Sequence, residues 1–208
     1  MQLLVTGGAG FIGSNYVRWL LANTDDRVVV LDALTYAGNL DNFRGIDDDP
    51  RFRFVLGDIR DRQAVRAAME GCDRVVHFAA ETHVDRSIVD PDSFVLTNCQ
   101  GTNVVCDTAR QVGVERVLHI STDEVYGSVE EGSSTEADLL VPRSPYSAAK
   151  AGSDLIALGY GTTYGLDVVV TRASNNYGPY QFPEKVIPLF VTNLIDGAQV
   201  PLYGDGLN

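Results

Sequence analysis

Positive charge is in short supply along this chain. Lysine and arginine number 16 against 28 aspartates and glutamates, a net charge of -12 over 208 residues. A nucleic-acid backbone needs a basic face, so that class of partner is excluded. A small phosphorylated ligand needs only local donors and is not. Cysteine is sparse too. Cys72, Cys99 and Cys106 are odd in number and lack metal-ligand spacing, which argues against a disulfide framework and a metal site. They read as reduced core or near-core thiols of a cytoplasmic protein. No apolar run approaches the roughly 20 residues that span a bilayer. The opening MQLLVTGGAG has no basic segment before a long apolar core, so no signal peptide is expected. Repeats, low-complexity tracts and long charge runs are missing. What remains, 45% apolar and 21% charged, suits one compact domain with the beginning of a second.

The order of motifs sets the fold class. Gln2 to Thr6 reads as a strand, Gly7-Gly8-Ala9-Gly10-Phe11-Ile12-Gly13 as a turn, and the run to Leu21 as a helix. That is the start of a dinucleotide-binding unit. Gly7 permits the tight turn, Gly10 lets a pyrophosphate approach the helix N-terminus, and Gly13 permits close helix–strand packing. No Gly-Lys-Ser/Thr follows, so this is not a nucleoside-triphosphate loop. Arg27 to Leu31 is a second strand ending in Asp32. An acid there accepts from ribose hydroxyls and repels a 2′-phosphate, which predicts NAD rather than NADP. Ala33 and Leu34 follow, not an arginine.

Phe52 to Leu56 is the third strand; Asp58 beyond it is placed for an adenine amino group or as the cap of a helix over 61–69. Arg74 to Phe78 is the fourth, followed by Ala79 and Ala80, small enough for a cofactor to pass close. His83, Asp85, Arg86 and Ser87 are expected in a loop, with no chemistry for His83. Residues 92–112 read as one long helix carrying Asn98, 115–120 as strand five, 128–144 as a loop, 146–164 as a helix and 166–171 as strand six. This alternation predicts an α/β fold, a doubly wound, Rossmann-type parallel sheet with helices on both faces. After Arg172 come a polar, aromatic loop, a helix over 183–196 and an extended start at 200–203. The expected division is 1–172 for the dinucleotide-binding domain and 173–208 for the beginning of a smaller substrate-binding region.

The stretch from Ser121 to Lys150 carries the chemistry. Tyr146 and Lys150, four apart, share one helix face, with Pro145 in the first turn. An ammonium beside a phenol lowers its pKa, making Tyr146 a base at neutral pH. Thr122, Asp123 and Glu124 follow a buried strand, at the end where open parallel sheets bind ligands. The residues alone leave open which carboxyl is acid and which is base.

With these segments assembled, the sequence resembles the extended short-chain dehydrogenase/reductase superfamily. Within it the chain is similar to the dTDP-glucose 4,6-dehydratase family of deoxysugar biosynthesis. The resemblance covers essentially the whole chain and rests on TGGAGFIGS, LDALTYAGN, GDIRD, HFAAETHVDRS, TNCQGT, STDEVYG, YSAAK and NNYGPYQFPEKVIP. The first and YSAAK are generic to the superfamily; the Asp-Glu pair after the threonine is specific. Sugar-nucleotide epimerases usually carry small or hydroxyl residues there.

The resemblance implies conversion of dTDP-glucose to its 4-keto-6-deoxy product through tightly bound NAD. The alternatives are a UDP-glucose dehydratase, a 4-epimerase on the same scaffold or, in a truncated chain, a catalytically impaired NAD-binding fragment. It places NAD against Phe11, Ile12, Asp32, Ala33, Leu34, Thr35, Asp58, Ile59, Ala79, Ala80, Thr97, Tyr146, Lys150 and Asn176. It places the sugar nucleotide against Thr82, Thr122, Asn175, Lys185, Val186, Pro201, Leu202 and Tyr203. It assigns Tyr146 to the C4 hydroxyl, Glu124 to the C5 proton and Asp123 to the C6 leaving group. A homodimer through a four-helix bundle of 92–112 and 146–164 is also implied, with Phe94, Val95, Val104 and Val105 as apolar surplus. Relatives continue past this point with a substrate domain, so the expectation is either a truncated polypeptide or a sequence that stops early.

Overall fold

A computed structural model describes residues 1–206. Short, largely apolar runs form six strands: β1 (Gln2–Thr6), β2 (Arg27–Asp32), β3 (Phe52–Leu56), β4 (Arg74–His77), β5 (Arg116–Thr122) and β6 (Val168–Ala173). Every pairing is parallel, in the order β3-β2-β1-β4-β5-β6. The central strands are buried on both faces, as parallel strands covered by helices must be. Successive side chains alternate between two cores. Leu4, Val29, Val75 and Val117 join Val65, Met69, Val105 and Ala109 on one face. Leu3, Val5, Val28 and Val30 join Val17, Leu20, Leu21 and Phe43 on the other.

The helices are α1 (Phe11–Asn23), α2 (Arg62–Met69), α3 (Val84–Val89), α4 (Pro91–Phe94), α5 (Thr102–Val112), α6 (Pro145–Tyr164) and α7 (Val186–Ile195). Ser144 and Ser147 cap α6 reciprocally, and Gly165, in the left-handed region at φ 72°, ends it. The sheet is therefore Rossmann-type, as expected. Strand order reverses between β1 and β4, and there the carboxyl ends of the strands open a crevice.

Several local expectations are corrected. The 92–112 stretch is not uniformly α-helical: a π-helical segment, Val95–Gly101, separates α4 from α5. Residues 84–89 form α3 rather than a loop, capped by the His83 side chain. Only a single 3-10 turn, Leu40–Phe43, lies between β2 and β3. Asp61, not Asp58, caps α2, accepting from the Gln63 and Ala64 amides. Strand five runs on through Thr122, and strand six starts at Val168 rather than Leu166. Phe94, Val104 and Val105 are buried within the subunit, so of the four residues expected at a dimer face only Val95 is exposed. The second expected region extends to Leu207 and Asn208, which lie outside the described residues.

Candidate active site

The carboxyl ends of all six strands line one cleft of about 710 Å³, a size typical of ligand sites. Gly7 and Gly13 build its floor at the β1–α1 turn. A Cβ on Gly7 (φ +70°) would lie 2.5 Å from the Ala79 amide nitrogen, and one on Gly13 would strike the Gly7 carbonyl. No side chain caps α1, and its first turn carries no acid. The first amides of α1 thus face the cleft without a side-chain acceptor, at the positive end of a helix dipole. That arrangement suits the pyrophosphate of a dinucleotide.

Asp32 closes β2 at the cleft wall. Its Oδ2 accepts from the Ala9 amide at 2.9 Å and its Oδ1 from the Leu34 amide at 2.8 Å. Burial raises its pKa, and these two amides oppose the rise. Each oxygen keeps a lone pair for a further donor. Burial alone would raise Asp58, but Arg60, bonded to it at 2.6 Å, outweighs burial and holds the carboxyl below its usual range. Asn98, in the π-helical segment, clamps the loop after β4. It accepts from the Glu81 amide at 2.8 Å and donates to the Glu81 carbonyl at 3.0 Å.

Thr122 ends β5 and caps the 3-10 turn Asp123–Tyr126, accepting from the Glu124 amide at 3.2 Å. Thr122 and Tyr146 both line the cleft. Tyr146 is 7% exposed, packed edge-on against Phe94. The expected lowering of its pKa is corrected: burial, then Glu124, raises it, and only Thr122 opposes. Lys150 does not bond the phenol. Its ammonium donates to the Ile120 carbonyl at 2.7 Å, and burial draws its pKa down to about 8. Partial burial raises Glu124, opposed by Lys185 and reinforced by Asp123. The upward shift falls on the carboxyl assigned as base, so these residues alone do not set the expected division between acid and base. The sequence holds only two lysines, Lys150 and Lys185, and both line this cleft.

A strap from Gly178 to Val186 crosses the cleft mouth. Asn15 donates to the Pro179 carbonyl at 2.9 Å, Arg18 stacks over Tyr180, and Phe182 meets the Tyr36 ring edge-on. The Tyr36 hydroxyl donates to Glu184 at 3.2 Å, and Lys185 reaches the Thr82 carbonyl at 3.4 Å.

The cleft gathers Gly7, Gly10, Phe11, Ile12, Gly13, Asp32, Ala33, Thr35, Asp58, Ile59, Ala79, Ala80, Thr97, Tyr146, Lys150 and Asn176. It also gathers Thr82, Thr122, Glu124, Asn175, Lys185 and Val186. Leu34 instead packs on the core of Leu3, Val5, Val28 and Val30, and Asp123 sits exposed beside Thr122. Pro201, Leu202 and Tyr203 do not line the cleft; all three are exposed. Sequence reading missed Tyr36 and Glu184, which pin the strap, and Ser121, which lines the floor.

Comparison with known proteins agrees with this geometry. A family model described as GDP-mannose 4,6 dehydratase matches residues 4–208. A dTDP-glucose 4,6-dehydratase of Streptomyces antibioticus is 61% identical across 100% of this chain, which spans 63% of that relative. The low-salt glycan biosynthesis protein Agl12 of Haloferax volcanii is 55% identical, again across 100% of this chain, and 67% of it is covered. Among solved structures, DesIV, a dTDP-glucose 4,6-dehydratase from Streptomyces venezuelae with NAD and TYD bound, superposes with a TM-score of 0.98. It is 60% identical, over 100% of this chain and 66% of that one. A UDP-glucuronic acid 4-epimerase of Bacillus cereus, with UDP-glucuronic acid and NAD, is 28% identical at a TM-score of 0.93 over 99% and 67%. The chain thus spans just under two thirds of the length of relatives such as the S. antibioticus enzyme. With its sheet order, its glycine turn and nearly its whole length matched, the chain belongs to the GDP-mannose 4,6 dehydratase family.

Proposed function

We propose that the protein is an NAD-dependent dTDP-glucose 4,6-dehydratase, a hydro-lyase of deoxysugar biosynthesis. The observation that carries the reading is the turn after β5, which sets Asp123 and Glu124 beside Thr122, with Thr122, Glu124 and Tyr146 lining one cleft. Phenol, hydroxyl and ammonium would suffice for an epimerase; the two adjacent acids are what elimination adds. NAD fits the uncapped start of α1, the glycine floor and the Asp32 wall. Gly7, Gly10, Phe11, Ile12, Gly13, Asp32, Thr35, Asp58, Ala79, Thr97, Lys150 and Asn176 would hold it. When bound, it supplies hydride acceptance at C4 and hydride return at C6.

The residues divide the proton work. Tyr146 takes the proton of the C4 hydroxyl, and Thr122 hydrogen-bonds the same hydroxyl. The 4-keto group formed acidifies C5–H. Glu124 removes that proton, and Asp123 donates one to the C6 hydroxyl, which leaves as water. C5 is then reprotonated, so the product retains the ketone at C4. Thr82, Asn175, Lys185 and Val186 would orient the sugar nucleotide. The buried Lys150 ammonium fixes the floor through the Ile120 carbonyl. The removal of one positioned acid or base costs about 10²–10⁴ in rate.

We further infer a cytoplasmic homodimer. Free thiols at Cys72, Cys99 and Cys106 support the compartment. Among the described residues no helix is long and apolar enough to cross a membrane. Exposed Val95, Leu96, Leu155 and Leu158, on the π-helical segment and α6, support pairing through these helices. Incubation of the intact protein with dTDP-glucose and with UDP-glucose, followed by product mass and 4-keto absorbance, tests the activity. A mass loss of one water from dTDP-glucose is expected. Loss from UDP-glucose alone would move the assignment to that base, and an isomer of unchanged mass would make the protein an epimerase.

A further inference from the structure

Beneath the cleft lies a polar network that the proposed reaction does not use. Asp154 stands four residues after Lys150 on α6, on the same helix face, and has no exposure. Its Oδ2 accepts from Arg172 Nε at 2.9 Å, and its Oδ1, buried without a hydrogen-bond partner, lies 3.3 Å from His119 Nε2. Arg172 in turn donates to the Tyr126 hydroxyl at 2.7 Å, at the end of the turn that carries Asp123 and Glu124. A carboxylate removed from water persists only where cations and donors oppose the cost of burial.

Lys150 is the other ion buried here, 4% exposed, and its ammonium bonds a neutral carbonyl rather than a carboxylate. The titratable groups packed around it come from every neighbouring element. Tyr146 stands on its own helix, Cys99 on the π-helical segment, His77 on β4 and His119 on β5. Burial keeps both histidines neutral and raises the Cys99 thiol. Asp123 and Glu124, on the turn after β5, are exposed, and Arg172 on β6 adds a second positive charge. Among these groups Asp154 alone is a buried anion.

We propose that Asp154 is the buried counter-charge of Lys150, a positioning residue that keeps the ammonium protonated beneath the cleft without touching substrate. Burial draws Lys150 down to about 8, and Asp154 is the largest influence acting against that fall. Arg172 holds the carboxylate in place, with His119 beside it. The inference deepens the dehydratase reading, which needs Lys150 as a cation, but it does not need turnover to be tested.

The test reads Lys150 directly. Lysine labelled with ¹³C at Cε is incorporated into the intact protein, and its resonances are followed against pH, wild type and variants at equal cofactor content. Lys150 is identified by the signal lost in Lys150→Met. In Asp154→Asn the Lys150 midpoint should fall by about one pH unit or more. A role confined to bracing the fold predicts the opposite sign, because a loosened floor hydrates the ammonium and raises its midpoint. An unchanged or raised midpoint in folded Asp154→Asn therefore overturns the proposal. Should that variant fail to fold, Asp154→Asn with Arg172→Met leaves neither charge unpaired, and its midpoint should also lie below the wild-type value; no fall there overturns the proposal equally. Arg172→Met alone keeps the carboxylate and should not lower the midpoint. A fall as large as that of Asp154→Asn would show that the network's integrity, not the Asp154 charge, governs Lys150. Absence of dehydratase activity would leave these outcomes readable.

Discussion

The Asp32 carboxylate accepts the Ala9 amide at 2.9 Å, so the acid that ends β2 holds the glycine turn that follows β1. Its other oxygen fixes the Leu34 amide. A residue read as a selector of the cofactor ribose is thus also a brace for the cradle beneath the pyrophosphate. The two duties separate in experiment. The wild-type protein should prefer NAD over NADP at least about tenfold, or about 1.4 kcal/mol. Asp32→Ala should erase that preference and, by stranding two amides, lower stability by about 1–3 kcal/mol. Calorimetric titration with both cofactors and urea unfolding measure each part; equal wild-type affinities would remove Asp32 from ribose selection.

The acid pair separates elimination from oxidation. Glu124→Gln and Asp123→Asn should cut turnover about 10²–10⁴-fold while NADH absorbance still builds in a single turnover with dTDP-glucose. Tyr146→Phe should give neither NADH nor 6-deoxy product. Either acid variant dehydrating at the unmodified rate would show that its carboxyl has no such role.

Acid should unfold the protein in a window set by its buried histidines. His119 is held neutral with a pKa lowered from 6.5 to about 4, first by burial and then by Lys150. Burial and the same cation lower His77. Between pH 6.5 and 4 the unfolded chain binds protons that the folded chain refuses, so stability falls as pH drops, by up to about 3 kcal/mol for His119. Asp49, Asp58, Asp90 and Asp107, held below their usual 3.8, act at lower pH. Asp32, Glu81 and Glu124, raised by burial, act in the opposite sense. The measurement is therefore a difference: urea stability against pH for wild type and for His77→Gln/His119→Gln. The double variant should lose the extra slope, and parallel curves would place the acid sensitivity elsewhere.

Assembly is tested at Leu155 and Val95, 62% and 53% exposed on neighbouring elements. Light scattering should give a dimer at micromolar concentration, and Leu155→Asp should give a monomer whose fold is intact. A wild-type monomer would count against pairing through these helices.

The sheet was legible because parallel strands buried on both faces need near-continuous apolar runs, and RVVVL and QLLVT are such runs. The glycine turn, Asp32 and the Tyr146–Lys150 spacing were legible for the same local reason. The π-helical segment was not. Its wider turn is a matter of hydrogen-bond register rather than composition, and Val104 and Val105 beyond it are buried. Tyr36 and Glu184 were invisible because 148 residues separate them along the chain. The phenol's pKa was misjudged because spacing reports a shared helix face, not that the Lys150 ammonium would bond the Ile120 carbonyl beyond it.

The two lysines of this sequence both border the cleft, while the α-amino group of Met1 is paired to Asp26. Within this stretch of sequence, side-chain amines are therefore confined to the cleft. There an acylating reagent meets Lys185 at the strap, while Lys150, 4% exposed, is shielded on the floor. Acylation of Lys185 becomes a footprint of whatever occupies the cleft.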